Sequence, residues 1–151
     1  MKLVLDVENT VTKRNDKMHL DPFEKDNSLI MVGCLTETGK EYLFHHETGF
    51  DGVQELLDRT TILIGHNISY DLMWLWECGF KYDGDVFDTM LTEYILLRGQ
   101  KKPLSLEACA ERYELETQKQ TGKPAKRFES AGHDVLGGGL GLGKFNPKFG
   151  N

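Results

Sequence analysis

The sequence predicts a mixed α/β domain in which a three-stranded antiparallel meander precedes alternating helices and strands. Three observations predict it. Residues 1–10 alternate at strand period, two further strand-like runs arrive before any helical pattern, and from residue 62 short apolar runs alternate with helical ones. A chain of 151 residues buries about two-thirds of its unfolded surface on folding, enough for one core without disulfide or metal staples.

In the opening strand, residues 3–10, side chains two apart share a face. Leu3, Leu5 and Val7 therefore point one way and Val4, Asp6 and Glu8 the other. Residues 11–28 read as a polar loop whose mixed charges, from Lys13 to Asn27, are solvated. A strand over 29–36, a turn at Thr38-Gly39-Lys40 and a strand over 41–46 complete the meander. Phe50, Val53, Leu56 and Leu57 mark a helix, and Ile62-Leu63-Ile64 a strand over 61–65 that stops at Gly65. The next helix, 69–79, carries Leu72, Leu75 and Trp76 on one stripe, which places Trp76 in the core and leaves Trp74 open to packing or to base stacking. A short strand near Val86 leads to a helix capped by Asp88 and running to about Leu97, and a last helix runs from Ser105 to about Leu115. No internal repeat is visible.

Asp6 and Glu8 put two like charges on one face of an apolar strand. Buried there, they need a cation or strong donors, which points to a divalent metal site; at a frayed strand end both would simply be wet. Asp71 falls in the first turn of the helix after Gly65, where the helix dipole favours an anion. If that strand lies beside the first, Asp71 faces Asp6 and Glu8. His45 and His46 adjoin a strand end with no second ligand spaced for zinc.

The three cysteines, Cys34, Cys78 and Cys109, form no ligand-like cluster, and a reduced cytoplasmic setting is expected. No apolar stretch approaches the roughly 20 residues of a membrane span, and the start lacks the blocks of a signal peptide. The formal net charge is −6 and unevenly spread: residues 1–118 carry 12 Lys+Arg against 22 Asp+Glu, residues 119–151 six against two. The body is therefore no polyanion clamp.

Taken together, Asp6-Val7-Glu8 and Asn67-Ile68-Ser69-Tyr70-Asp71, the latter preceded by His66, resemble the D-x-E and N-x-x-(F/Y)-D motifs of the DEDD superfamily of 3′→5′ exonucleases. Residues Val86-Phe87-Asp88-Thr89-Met90-Leu91 and the helix from Leu104-Ser105-Leu106 to Tyr113 are similar to those of proofreading domains in phage family A DNA polymerases. The resemblance covers about residues 1 to 118 and implies a ribonuclease H-like sheet, incomplete at the C-terminus. It further implies two Mg²⁺ or Mn²⁺ ions held by Asp6, Glu8 and Asp71 as catalytic residues, and a single-stranded 3′ end bound near Thr10, His66, Asn67 and Tyr70.

Active members carry a third motif, Tyr-x3-Asp or His-x4-Asp, downstream of the second. It is absent here: four residues beyond Tyr70, Tyr82, Tyr94 and Tyr113 stand Trp74, Val86, Arg98 and Thr117, and five beyond His133 stands Gly138. His133 adjoins Asp134 directly. From Lys119 onward the chain is basic and Gly-rich, as in Gly137-Gly138-Gly139-Leu140-Gly141-Leu142-Gly143, and reads as a flexible tail over 119–151. The expectation is a metal-dependent exonuclease module of a phage-type DNA polymerase, weak in isolation, which relies on a polymerase domain or a downstream polypeptide for what is missing. Two alternatives stand beside it: an inactive remnant that docks on a polymerase or nucleic acid, and an RNA-trimming exonuclease of the same superfamily.

Overall fold

The computed structural model describes residues 1–115. The predicted tail, residues 119–151, with His133 and Asp134, lies outside them. Seven strands and four helices follow in order: β1 (Lys2–Asn9), β2 (Thr12–Arg14), β3 (Lys17–His19), β4 (Leu29–Thr36), β5 (Glu41–His45), α1 (Val53–Asp58), β6 (Ile62–Gly65), α2 (Ile68–Glu77), β7 (Asp85–Asp88), α3 (Thr89–Leu96) and α4 (Leu106–Arg112). Five strands form one sheet in the order β5-β4-β1-β6-β7, and β2 and β3 a separate hairpin. β1, β4 and β5 pair antiparallel, while β6 pairs parallel with β1 on one side and with β7 on the other, α2 linking β6 to β7. The meander followed by a helix-strand half is the ribonuclease H-like arrangement expected from the chain.

β1 alternates as its sequence requires, with Leu3, Leu5 and Val7 buried and Lys2, Val4, Asp6 and Glu8 exposed. The buried set joins one core cluster with Leu29 and Val32 of β4, Leu63 of β6, Val53, Leu56 and Leu57 of α1, and Ile68, Leu72 and Leu75 of α2. The opposite face is barely covered. There Val4 pairs with Leu35 on one side and Ile64 on the other, Ile64 pairs with Phe87, and Val4, Leu35 and Phe87 all stay largely exposed.

Two expectations are corrected. Residues 11–28 are not all loop, because β2 and β3 form a hairpin across Asn15 and Asp16, both of which adopt positive φ (48° and 57°). Such a turn matches the twist of a hairpin, and short polar residues tolerate it. With both faces of its three-residue strands largely in water, the hairpin leaves no hydrophobic alternation to read. The tryptophans are also exchanged: Trp74 is 0 % exposed and Trp76 is 54 % exposed. The buried arc of α2 comprises Ile68, Asp71, Leu72, Trp74 and Leu75. It leans toward the Asp71 side of the apolar stripe, and that turns Trp76 outward.

Gly65 ends β6 where α2 folds back on it. A Cβ added there would lie 2.4 Å from Ile68 Cδ1 and 3.2 Å from Ile68 Cβ, and Ile68 is itself buried. Gly65→Ala is expected to destabilise the fold by about 1–2 kcal/mol, because the isoleucine must leave its rotamer in a packed core. A shift in the urea midpoint measures it.

Candidate active site

β6 pairs with β1 only across Lys2, Leu3 and Val4, so the backbone of β1 beyond that point lacks a strand partner on this side. α2 supplies one. Asp71 Oδ1 accepts the Val7 N–H at 2.9 Å, which fixes the carboxyl of the second motif against the strand segment between Asp6 and Glu8. Asp71 is 4 % exposed. Burial pushes its pKa up to about 7; the Val7 N–H opposes the shift, and the charges of Asp6 and Asp88 add to it. Asp6 is exposed as a residue, yet the protein packed about its carboxyl raises its pKa as well.

Glu8 shares the outer face of β1 with Asp6. Asp6 and Glu8 thus flank the strand position, Val7, to which Asp71 is bonded. Among the described residues, no three His, Cys, Asp or Glu side chains stand together as a ready-made metal-ligand cluster. The donor set still fits a hard divalent cation, for every ligand atom it offers is a carboxylate oxygen. Asp71 fits most clearly, since a cation beside it would oppose both the burial penalty and the repulsion from Asp6.

The residues expected at the 3′ end are each engaged with the protein. Tyr70 directs its hydroxyl at Asn9 Oδ1 (2.7 Å) and the Leu20 carbonyl (2.9 Å), and burial raises the pKa of its phenol. Thr10 Oγ1 accepts the Ser28 N–H at 2.7 Å, closing the base of the hairpin segment. His66 stands between Thr89 Oγ1 (2.9 Å) and the Leu104 carbonyl (2.7 Å). A carbonyl only accepts, so Nε2 carries a proton, and the ring ties the β6–α2 turn to the segment before α4. Asn67 adopts the left-handed conformation (φ 62°), and its N–H donates to Asp88 Oδ1 at 3.0 Å.

Asp88 is the α3 cap the sequence indicated, its Oδ1 accepting from Met90 and Leu91. The contact with Asn67 extends that role across the two turns that frame the site. Asn9 was missed. It follows Glu8, receives the Tyr70 hydroxyl, and donates through Nδ2 to the carbonyls of Thr10 and Leu20. Its only signal in the sequence is that position. Cys34, Cys78 and Cys109 are buried free thiols, and no helix among the described residues is long and apolar enough to cross a membrane.

Residues 16–130 match a protein family described as 3′-5′ exonuclease. Asp71 falls inside that match, and Asp6 and Glu8 lie just ahead of it. The fold is similar to the family B DNA polymerase of the hyperthermophilic archaeon Pyrobaculum calidifontis, with a TM-score of 0.54 and 16% identity over 89% of this chain and 22% of that one. It is also similar to Brucella melitensis NrnC bound to pGG, with a TM-score of 0.59 and 18% identity over 97% of this chain and 63% of that one. NrnC with bound Mg²⁺ gives 0.58 and 21% over 89% and 66%. The chain thus spans less than two thirds of the length of each. No curated protein matches it in sequence.

Proposed function

The chain belongs to the 3′-5′ exonuclease family, within the DEDD superfamily that its motifs resemble, and from that premise we propose that it is a metal-dependent 3′→5′ exonuclease module. Its substrate in this reading is the single-stranded 3′ end of DNA, and its setting the proofreading half of a phage-type DNA polymerase in the cytoplasm. One observation carries the reading. Asp71 is bonded to the backbone of Val7, between Asp6 and Glu8, so the acids of two motifs 65 residues apart in the chain share one end of the sheet.

Asp6, Glu8 and Asp71 would hold two Mg²⁺ or Mn²⁺ ions, as the Mg²⁺-bound form of the similar NrnC fold supports. Bound there, such ions lower the pKa of water and offset charge on a leaving oxygen. The chain itself supplies three acidic side chains, of which Asp71 ionises only near pH 7 unless a cation beside it offsets its burial. Tyr70 and Asn9 hold the rim, and Asp88 sets the turn that aims α2. No Tyr-x3-Asp or His-x4-Asp follows in the sequence, so the group that would position water is missing and the rate in isolation is low. A polymerase domain or a downstream polypeptide would supply it.

The test is a 5′-labelled single-stranded oligodeoxynucleotide incubated with the purified chain and Mn²⁺. Slow shortening from the 3′ end is expected, abolished by chelator and lowered at least about a hundredfold by Asp6→Ala. An oligonucleotide that binds but is never shortened would favour a docking module. The fold likeness to NrnC bound to pGG supports a second reading, an RNA-trimming exonuclease, and faster loss of the matching RNA would select it.

A further inference from the structure

The hairpin segment between β1 and β4 is built as a rigid frame, yet it holds large apolar side chains in water. Asn27, fully buried, lies at its centre. Its Nδ2 donates to the carbonyls of His19 (2.9 Å) and Asp21 (3.0 Å), and its Oδ1 accepts the Thr12 hydroxyl (2.7 Å). Arg14 bridges Glu24 (2.9 Å) and Asp26 (2.7 Å) from the hairpin to the returning loop. Asp21 Oδ1 accepts the N–H groups of Phe23 and Glu24, which makes a tight turn after the buried Pro22. Phe23 rides on that turn at 65 % exposure, and Met18 and Leu20 are about as open.

A loose loop would fold such groups onto the nearest apolar surface; this frame prevents it. An exposed aromatic on a hydrogen-bonded support is a binding element more readily than a stability element. Its position says what it would bind. The Leu20 carbonyl is tied to Asn9 Nδ2 (3.2 Å) and to the Tyr70 hydroxyl (2.9 Å), the neighbours in sequence of Glu8 and Asp71. The frame is thereby fastened to the residues that follow Glu8 and precede Asp71. Lys17 and Lys25 stand exposed in the same segment of an otherwise acidic body. Exposed cations in the same segment as an exposed aromatic suit a strand that carries phosphates and bases.

We propose that Phe23 is a stacking platform for a base of the single-stranded nucleic acid whose 3′ end reaches Asp6, Glu8 and Asp71, with Lys17 and Lys25 facing its phosphates. This rests on the exonuclease reading and adds a specificity element to it: bases upstream of the scissile bond contribute binding that a very short strand cannot supply. Stacking does not distinguish one base from another, so the preference is for single strands over duplex and for length over sequence.

The experiment uses the full chain and a single-stranded oligodeoxynucleotide with a 3′ phosphorothioate linkage and 2-aminopurine among its last few bases. Binding to the unsubstituted chain should quench the fluorescence. Phe23→Ala should bind roughly tenfold more weakly with little quenching, and Phe23→Trp should restore both. The melting temperature should stay the same in all three, because Phe23 is open to water. Equal affinity and quenching in Phe23→Ala would overturn this inference alone, provided that Asp6→Ala still lowers shortening of the 5′-labelled strand without the phosphorothioate by at least about a hundredfold. An unsubstituted chain that neither binds this strand nor shortens the 5′-labelled strand without the phosphorothioate would overturn both it and the exonuclease reading.

Discussion

At pH 8 and without added metal, the Asp71→Asn chain is expected to unfold about 5–10 °C above the unsubstituted chain, a gain of about 2 kcal/mol or more. The asparagine keeps the oxygen that accepts the Val7 N–H and removes a charge that burial and Asp6 both disfavour. Linkage sets the sign. The carboxyl ionises from 3.8 when exposed in the unfolded chain and only near 7 in the native one. Between those values the folded state holds a proton that the unfolded state has released, so stability falls as pH rises from about 4 to about 7. The total loss approaches about 4 kcal/mol at about 1.4 kcal/mol per unit. Near pH 4 the two chains should therefore melt almost together, and the gap should open across that window. Thermal melts at each pH measure it, and a constant gap would contradict the raised pKa. Millimolar Mn²⁺ should narrow the difference at pH 8 by stabilising only the chain that keeps its carboxylate. At pH 5 it should do little, because there the proton holds the site.

How far the site could be read in the sequence depends on which physical signal each part leaves. Asp6 and Glu8 were legible because a strand has period two and the buried partners Leu3, Leu5 and Val7 keep it. Asp71 was legible because strand, glycine and helix follow one another within a dozen residues. The bond that brings them together was not. It involves a backbone N–H, which every residue but proline carries, and it is required only because β6 is four residues long and leaves Val7 without a strand partner on that side. The same holds for His66, whose ring reaches a carbonyl 38 residues on, and for Thr10, whose partner is 18 residues away. The hairpin escaped because both its faces are largely wet, and Trp74 because a helix of 10 residues fixes its rotation by one polar contact as much as by its apolar stripe. Local periodicity reports what is buried; it is silent where a single long-range hydrogen bond decides.

The second large effect concerns the helices behind the site. α3 and α4 expose much of what an ordinary helix pair would bury: Leu91, Tyr94, Ile95, Leu96 and Leu106 are each more than half exposed. A charged staple holds them together instead. Glu93 of α3 is buried, paired with Arg112 and hydrogen-bonded at 2.8 Å by the Tyr113 hydroxyl, while Arg112 Nη2 also donates to the Pro103 carbonyl at 2.7 Å. Arg112→Ala leaves that carboxylate buried without its cation, a cost of about 3–5 kcal/mol. With so little apolar contact to resist, α4 and the segment before it should open first. His66 would then lose the Leu104 carbonyl that orients its ring. Amide exchange should show α4 unprotected while the five-stranded sheet keeps its protection, and urea unfolding should show a lower midpoint. Replacing both partners, as in Glu93→Leu with Arg112→Met, should recover most of the loss, since an apolar pair carries no desolvation penalty. A cost below about 1 kcal/mol for Arg112→Ala would mean that the pair behaves as a solvated surface bridge and that other contacts, among them the Tyr113 hydroxyl on Glu93, hold α4.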